Sequence, residues 1–439
     1  MGTHSESGGA GLFSVTPAGE VERVADPAEA ERLNSIGNRY YLGSDLANAE
    51  QFYIAAIKAD PGHADAWGNL ALIWHTIGSM DDALQCYLRA MELNPRSHTN
   101  ITNFGIFQEA CGNIDHAERC YRVALEIVPG FGRAEGNLAQ LLMKRFDFVA
   151  GWTLFEARFR QDPPITTMRQ YPFPLWNGLP TRRLAIWPEQ GLGDQILYST
   201  MLPDLVGMRQ EIVVEIDPRL VPAFERSFST VKFAPKGHTD GFDGCTAHVP
   251  MMSLGWFLRR DRASFSGQPK RLLVPSPSRM SEIDVQLPKG RRRIAISWRS
   301  FHPDINKRQS DEKSTTLATF APLLEREDLA IVSVQYGPVG AESQPWPQLH
   351  WPGINLFDDI EGVLATIACS DAVVTTSNVT AHFASALGKP CYVLVKRRPT
   401  FFWFQPDESG RSLWYPSCRI VIGDTWEEAI AKVNVMLAH

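Results

Sequence analysis

Between residues 30 and 163 the small, aromatic and apolar positions recur every 34 residues. Prolines stand at Pro61, Pro95, Pro129 and Pro163. Ala49, Ala83, Ala117 and Gly151 share one phase; Tyr53, Tyr87, Tyr121 and Phe155 share another; Ala56, Ala90 and Ala124 a third. Earlier in each unit come Leu33, Trp67 and Ile101, then Ile36, Leu70 and Phe104, then Gly37, Ala71 and Gly105. Such a period predicts an α-solenoid of antiparallel helix pairs. The small residues admit close helix approach, the aromatic fills the layer between units, and the proline ends the second helix. The fourth unit decays: Arg158 stands where an alanine is expected, within the aromatic-rich FDFVAGWTLFEARFR. That departure predicts a cap docking the solenoid onto the rest of the chain.

Beyond a proline-rich connector (residues 164–182) the period changes. RRLAIW, EIVVEI and VKFAP predict strands, separated by a helix after Asp194 and another in PRLVPAFERSF. A polar stretch at residues 266–278 divides this region. RRRIAISW, LAIVSVQYG, DAVVTTS, CYVLVK and CRIVIG then predict strands, and TTLATFAPLLERE, DDIEGVLATIACS, NVTAHFASALG and WEEAIAKVNVMLA helices. The expected plan is a tail (1–29), a solenoid (30–163) and two doubly wound α/β units (164–278 and 279–439). In such sheets ligands bind beyond the carboxyl ends of the strands, here in the cleft between the two units.

One turn stands out at such an end. Leu184-Ala185-Ile186 runs into Glu189-Gln190-Gly191-Leu192-Gly193-Asp194, followed by helix-period apolar positions at Ile196, Leu197, Met201, Leu202 and Leu205. Gly191 and Gly193 are expected to turn the backbone sharply and leave room for a substrate beside Gln190. Asp194 either acts on that substrate or balances the helix N-terminus.

Composition narrows the class. A chain of 439 residues fits two or three domains, and its net charge of -6 argues against a nucleic-acid or anionic-membrane partner. No apolar window is long enough to span a bilayer, and the amino terminus lacks the pattern of a secretory signal. Seven scattered cysteines with no C-x-x-C predict neither a disulfide framework nor a zinc site, and hence a reduced, cytoplasmic setting.

In TTSNVTAHFASALGKP a buried strand ends and a helix begins at once. Ser377 or Asn378 is expected to cap it, leaving the N–H groups of Val379 and Thr380 for an anion such as a nucleotide phosphate. A capped helix without a ligand is the plainer alternative.

EQGLGD, ISWRS, SVQYG, the segment from Asp358 through AHFASALGKP, and WFQPDESGRSLWYPS occur in one order. Together they resemble the carboxyl-terminal glycosyltransferase region of bacterial tetratricopeptide-repeat proteins, similar to the heptosyltransferase family. The resemblance covers residues 165–439 and implies a GT-B fold of two facing Rossmann-like domains. The 34-residue register resembles the tetratricopeptide repeat itself. The whole plan is similar to O-GlcNAc transferases and flagellin-modifying glycosyltransferases.

The resemblance implies an inverting, metal-independent enzyme that moves a sugar from a nucleotide sugar to a protein recruited by the repeats, flagellin foremost. Asp194 is then the general base. Arg299 and Lys313 face the leaving phosphate, or are solvated surface charges. Ser297 and Ser314 hydrogen-bond the same group, and Gln335 and Tyr336 face the base or ribose. His382 is either substrate-facing or packed. The run Lys396-Arg397-Arg398 would suit a CMP-linked acidic sugar, and a UDP-linked donor is equally open. Many relatives carry Asp-Thr where this chain has Ser377-Asn378. No Asp-x-Asp stands at a strand end, in keeping with the metal-free chemistry of GT-B enzymes. Two alternatives accompany this reading. One is a non-enzymatic scaffold with a degenerate GT-B domain, the other a transferase acting on a glycan or lipid-linked sugar.

Overall fold

The computed structural model describes residues 25–161, 164–237, 239–301, 313–396 and 406–438. The amino-terminal tail through Val24, together with Pro163, Arg397 and Arg398, lies outside them. The chain divides into two compact units between Asn137 and Leu138.

The first unit is a solenoid of helix pairs: α1 (Pro27–Leu42) with α2 (Leu46–Ala59), α3 (Ala64–Ile77) with α4 (Met80–Leu93), and α5 (His98–Ala110) with α6 (Ile114–Ile127). Capping sets the starts: the carboxylates of Asp26 and Asp45 and the hydroxyl of Ser97 accept from N–H groups of the first turns. Each second helix stops two residues before Pro61, Pro95 or Pro129, as the register predicts. Small and aromatic positions interlock. A Cβ at Gly37 would lie 2.6 Å from the Tyr53 ring, and one at Gly105 2.6 Å from Tyr121. Tyr87 packs against Phe104 and Phe107 of the next pair, with centroids 5.8 and 5.4 Å away.

The unit boundary falls inside α7 (Gly132–Lys144), so α8 (Phe148–Phe155) belongs to the second, α/β unit. There β1 (Arg183–Trp187), α9 (Leu192–Ser199), α10 (Leu202–Gly207), β2 (Glu211–Ile216), α11 (Val221–Ser227) and β3 (Val231–Pro235) follow the expected alternation. A fourth strand, β4 (Ala247–Pro250), was not expected from its pattern; it completes an all-parallel sheet of order β3-β2-β1-β4. The connector lies beside it, with Trp176 N–H donating to His248 O at 2.7 Å. Next come α12 (Leu254–Leu258) and α13 (Pro277–Asp284).

The second sheet is also parallel, of order β6-β5-β7-β8-β9. Its strands are β5 (Arg292–Ser297), β6 (Leu329–Ser333), β7 (Ala372–Thr376), β8 (Cys391–Lys396) and β9 (Cys418–Gly423). Between them run α14 (Ala321–Leu324), α15 (Ile360–Ala368), α16 (Val379–Ala386) and the closing α17 (Trp426–Met436). Only α14 and a preceding 3-10 turn (Leu317–Phe320) form where TTLATFAPLLERE predicts a full helix. The stretch 266–278 is no free linker: Leu272 and Leu273 are buried and both donate N–H to Ala386 O.

Candidate functional site

Two helices of the α/β unit, α9 from the first sheet's side and α16 from the second's, pack against each other. Their first turns carry Asp194 and His382, an acid and an imidazole whose proton affinities burial shifts in opposite directions.

The turn before α9 is held from both sides. Gln195 donates from Nε2 to Gln190 O (3.1 Å) and accepts at Oε1 from Asp217 N–H (2.8 Å), tying the turn after β1 to the residue after β2. Gly191 is the N-cap, at φ -70 and ψ -176, so α9 begins earlier than the sequence pattern suggests and Asp194 lies in its first turn. Neither glycine adopts a left-handed conformation. Nothing stands within 4 Å of a Cβ built at Gly191. At Gly193 the missing side chain leaves room for the His382 ring, not for a substrate: a Cβ would lie 2.8 Å from Cδ2.

Asp194 is half-buried. Burial raises its carboxyl from 3.8 to about 6; Lys313 opposes the rise and Glu189 adds to it. His382, on α16, is buried and its Nδ1 lies 3.0 Å from the Tyr415 hydroxyl. Burial, with help from Lys313, lowers its imidazole to about 3, so the ring is neutral at pH 7. Burial first pushes the Tyr198 and Tyr415 hydroxyls upward; Asp194 adds to the rise in Tyr198, and Cys418 and then Asp194 add to it in Tyr415. The His382 ring thus packs on Gly193 beside Asp194, and the charge of Lys313 acts on both groups.

The remaining donor-side candidates form a different arrangement. Gln335 accepts at Oε1 from Ser297 Oγ (3.1 Å), Trp298 N–H (2.8 Å) and Arg299 N–H (2.7 Å), and donates to the carbonyls of Arg299 and Tyr336. Asn378 donates to Ser297 Oγ (2.9 Å) and Arg299 O (3.1 Å) while its Oδ1 takes Thr380 N–H (2.9 Å). These contacts lock the ends of β5, β6 and β7 together. Gln335 is thus a buried brace and not a side chain facing a ribose. Asn378, not Ser377, is the cap, and it takes the Thr380 N–H that an anion was expected to use. Val379 and Tyr336 are both half-buried. The Arg299 guanidinium pairs with Glu342 (2.8 Å), which also accepts from the Trp298 indole. Ser314 Oγ accepts from Ser300 N–H (3.0 Å), and Ser377 is half-buried between β7 and α16. Among the described residues no cluster of His, Cys, Asp or Glu could hold a metal ion.

Two contributors escaped the sequence reading. Tyr415 lies in the segment WYPS but carries no pattern that marks it. Glu189 is buried and ion-paired with Arg158 at 2.7 Å. The signal for Arg158 was its place at a repeat position that wants alanine.

Comparison with known proteins places the amino-terminal helices. A tetratricopeptide repeat family profile matches residues 64–97. This region carries tetratricopeptide repeats. The curated Protein FlbA of Caulobacter vibrioides (strain ATCC 19089 / CIP 103742 / CB 15) is 28% identical over 316 residues, 65% of this chain and 52% of that protein. The chain thus spans about half the length of that relative. Among solved structures, the first repeat domain of human RPAP3 is 22% identical over 26% of this chain and 91% of its own, with a TM-score of 0.25. MamA is 21% identical over 31% of this chain and 81% of its own, with a TM-score of 0.27. No helix among the described residues is long and apolar enough to cross a membrane.

Proposed function

We propose that the chain is a nucleotide-sugar-dependent glycosyltransferase whose two parallel sheets form a GT-B pair. The observation that carries this reading is the packing of α9 on α16, which seats His382 against Gly193 beside Asp194, with the charge of Lys313 acting on both. Asp194 takes the proton of an acceptor hydroxyl as that oxygen attacks the anomeric carbon. The bond from that carbon to the phosphate oxygen breaks, and Lys313 stabilises the charge developing on the leaving nucleotide. With one displacement the anomeric configuration inverts. A carboxyl poised near 6 is ionised at pH 7 and still basic enough to accept a proton. The repeats recruit the acceptor, a protein of the flagellin class.

A second reading, a scaffold without catalysis, draws support from one feature. Ser297, Gln335 and Asn378 bond one another, and the Thr380 N–H is already capped. A thermal-shift series with UDP, GDP, ADP and CMP separates the two. Selective stabilisation of about 2.7 kcal/mol at a hundredfold excess over Kd is expected of the enzyme, weakened by Lys313→Ala. No shift with any nucleotide favours the scaffold.

A further inference from the structure

Successive residues of β1 face opposite ways. Leu184 and Ile186 pack with α9, whereas Ala185 and Trp187 lie on the other face of the first sheet, with Val213. The connector packs on that second face as an extended strap. Its Arg169, Tyr171 and Phe173 are half-buried while Gln170, Pro172 and Pro174 are exposed, the period of two of a straight chain. Residues 168–175 and His248 of β4 line a cavity of ≈ 360 Å³, within the usual size of small-molecule sites. His248 is 5% exposed and stands beside Ala185 in the register. Its Nδ1 accepts from the Trp187 indole at 3.2 Å; an indole nitrogen only donates, so the neutral ring carries its proton on Nε2. Burial lowers the imidazole and so favours that neutral form. Among the described residues nothing hydrogen-bonds Nε2.

We propose that this cavity binds a neutral sugar ring, with His248 Nε2–H donating to one of its oxygens. Arg169 and Tyr171 add donors but no net charge. The Arg169 guanidinium lies over the Trp187 ring, and its Nη1 donates to Glu215 (2.7 Å) and to the Tyr171 hydroxyl (3.3 Å). Glu215 neutralises it and also accepts from Gly237 N–H. The Tyr171 hydroxyl keeps its own hydrogen to donate. An anion therefore meets no uncompensated positive charge, a cation meets the positive ends of N–H and O–H groups, and a hydrocarbon leaves Nε2 unpaired. A pyranose supplies acceptor oxygens and a C–H face for the aromatic wall. That wall is Tyr171 and Phe173, stacked at 5.3 Å and set edge-on to His248 at 4.8 and 5.8 Å. An extended peptide also offers carbonyls, but Pro172 and Pro174 have no N–H with which to pair it. The site lies on the sheet face away from α9 and does not rest on the reaction proposed above.

The test uses the full chain with 15N-labelled histidine, titrated with the methyl glycosides of glucose, galactose, mannose and N-acetylglucosamine. Methyl glucuronide serves as the anionic comparison and N-acetylglycine methylamide as the peptide one. At least one neutral glycoside should shift the His248 Nε2–H signal saturably. It should bind about tenfold more weakly to His248→Phe, which keeps a ring and removes the donor. Loss of the signal in that variant identifies it. If His248→Phe does not fold, Tyr171→Leu on the strap takes its place, and the signal is identified through its proximity to the Trp187 indole proton. No saturable shift with any neutral glycoside, an affinity unchanged in the variants, or a response confined to the glucuronide or the peptide amide overturns the proposal. A chain that binds a glycoside at His248 yet transfers no sugar and binds no nucleotide upholds this site and sinks the enzymatic reading alone.

Discussion

The His382 ring occupies the space where Gly193 would carry a side chain: a Cβ there would meet ring Cδ2 at 2.8 Å and Nε2 at 3.1 Å. Glycine is required at this contact for close approach, not for a special backbone angle. Gly193→Ala should therefore push the ring or the turn aside, costing about 1–3 kcal/mol and most of any transfer activity. Gly191→Ala meets nothing within 4 Å at an ordinary φ of -70. It should cost no more than about 1 kcal/mol, the ordinary penalty for alanine at an N-cap. Urea midpoints of the two variants give the comparison, and equal losses would refute the packing argument.

Asp194 makes stability fall as pH rises. Its folded carboxyl sits near 6 against an ordinary 3.8, so the folded chain holds this proton more tightly than the unfolded one between those values. The stabilising contribution is full below about pH 4 and gone above about 6. Asp194→Asn removes the buried charge, so it should stabilise the chain by ~1–2 kcal/mol at pH 7 and by nothing near pH 4. Any transfer activity should be lost at both. Calorimetry at the two pH values checks the sign. A destabilised Asn variant at pH 7 would show that the carboxylate's contacts outweigh its burial.

His382 works in the opposite direction. Its imidazole is lowered from 6.5 to about 3, so the unfolded chain binds the proton first and stability falls as pH drops from about 6.5. His382→Gln should flatten the acid side of the stability curve between those values. It should also loosen the Tyr415 contact at 3.0 Å. Thermal unfolding across pH 4–7 reads the slope, and an unchanged slope would mean that the ring is accessible to protons in the folded chain.

Much of this architecture was legible in the pattern. The 34-residue register placed the repeat helices and their ends, because small, aromatic and proline positions each have one steric task. The strands flanking Asp194 and Asn378 were legible because continuous apolar runs fit only a sheet covered on both faces. β4 was not: AHVP is short, polar at His248 and ends in proline, so its burial comes from β1 and the connector beside it. The motifs of the candidate site do stand at strand ends, yet spacing could not reveal which polar groups were already paired. Ser297, Gln335 and Asn378 satisfy one another across three strands. Arg158 was visible only as an exception, since its partner lies 31 residues away.

That mutual satisfaction has a measurable consequence. Asn378 caps α16 and also bonds Ser297 and Arg299 O, so Asn378→Ala removes a cap and leaves buried partners unmatched. A loss of ~2–4 kcal/mol is expected, above the roughly 1 kcal/mol of a cap alone. Asn378→Asp keeps the acceptor for Thr380 N–H but loses the bonds donated to Ser297, Arg299 O and Thr376, and should fall between. If Asn378→Ala costs only what a surface cap does, the network contributes nothing to the fold.

Trp152 shows why the last helix of the repeat series cannot be separated from the α/β unit. Its indole donates to Arg259 O at 2.8 Å, and its ring packs against Phe155, Tyr198 and Trp414 with centroids 5.6, 6.4 and 6.4 Å away. Gly255 lies so close that a Cβ there would sit 2.3 Å from the ring. Trp152→Ala should cost about 3–5 kcal/mol by opening a cavity beside Tyr198, one helical turn beyond Asp194. A chain starting at residue 164 loses Trp152, Phe148, Phe155 and Arg158 together and should not unfold cooperatively. A chain starting at residue 131, with α7 whole, retains all four and should give a single sharp transition. Denaturant melts of the two truncations decide between a unit that begins in α7 and one that begins after the repeats. Cooperative unfolding of the shorter chain would reduce α8 to a detachable cap.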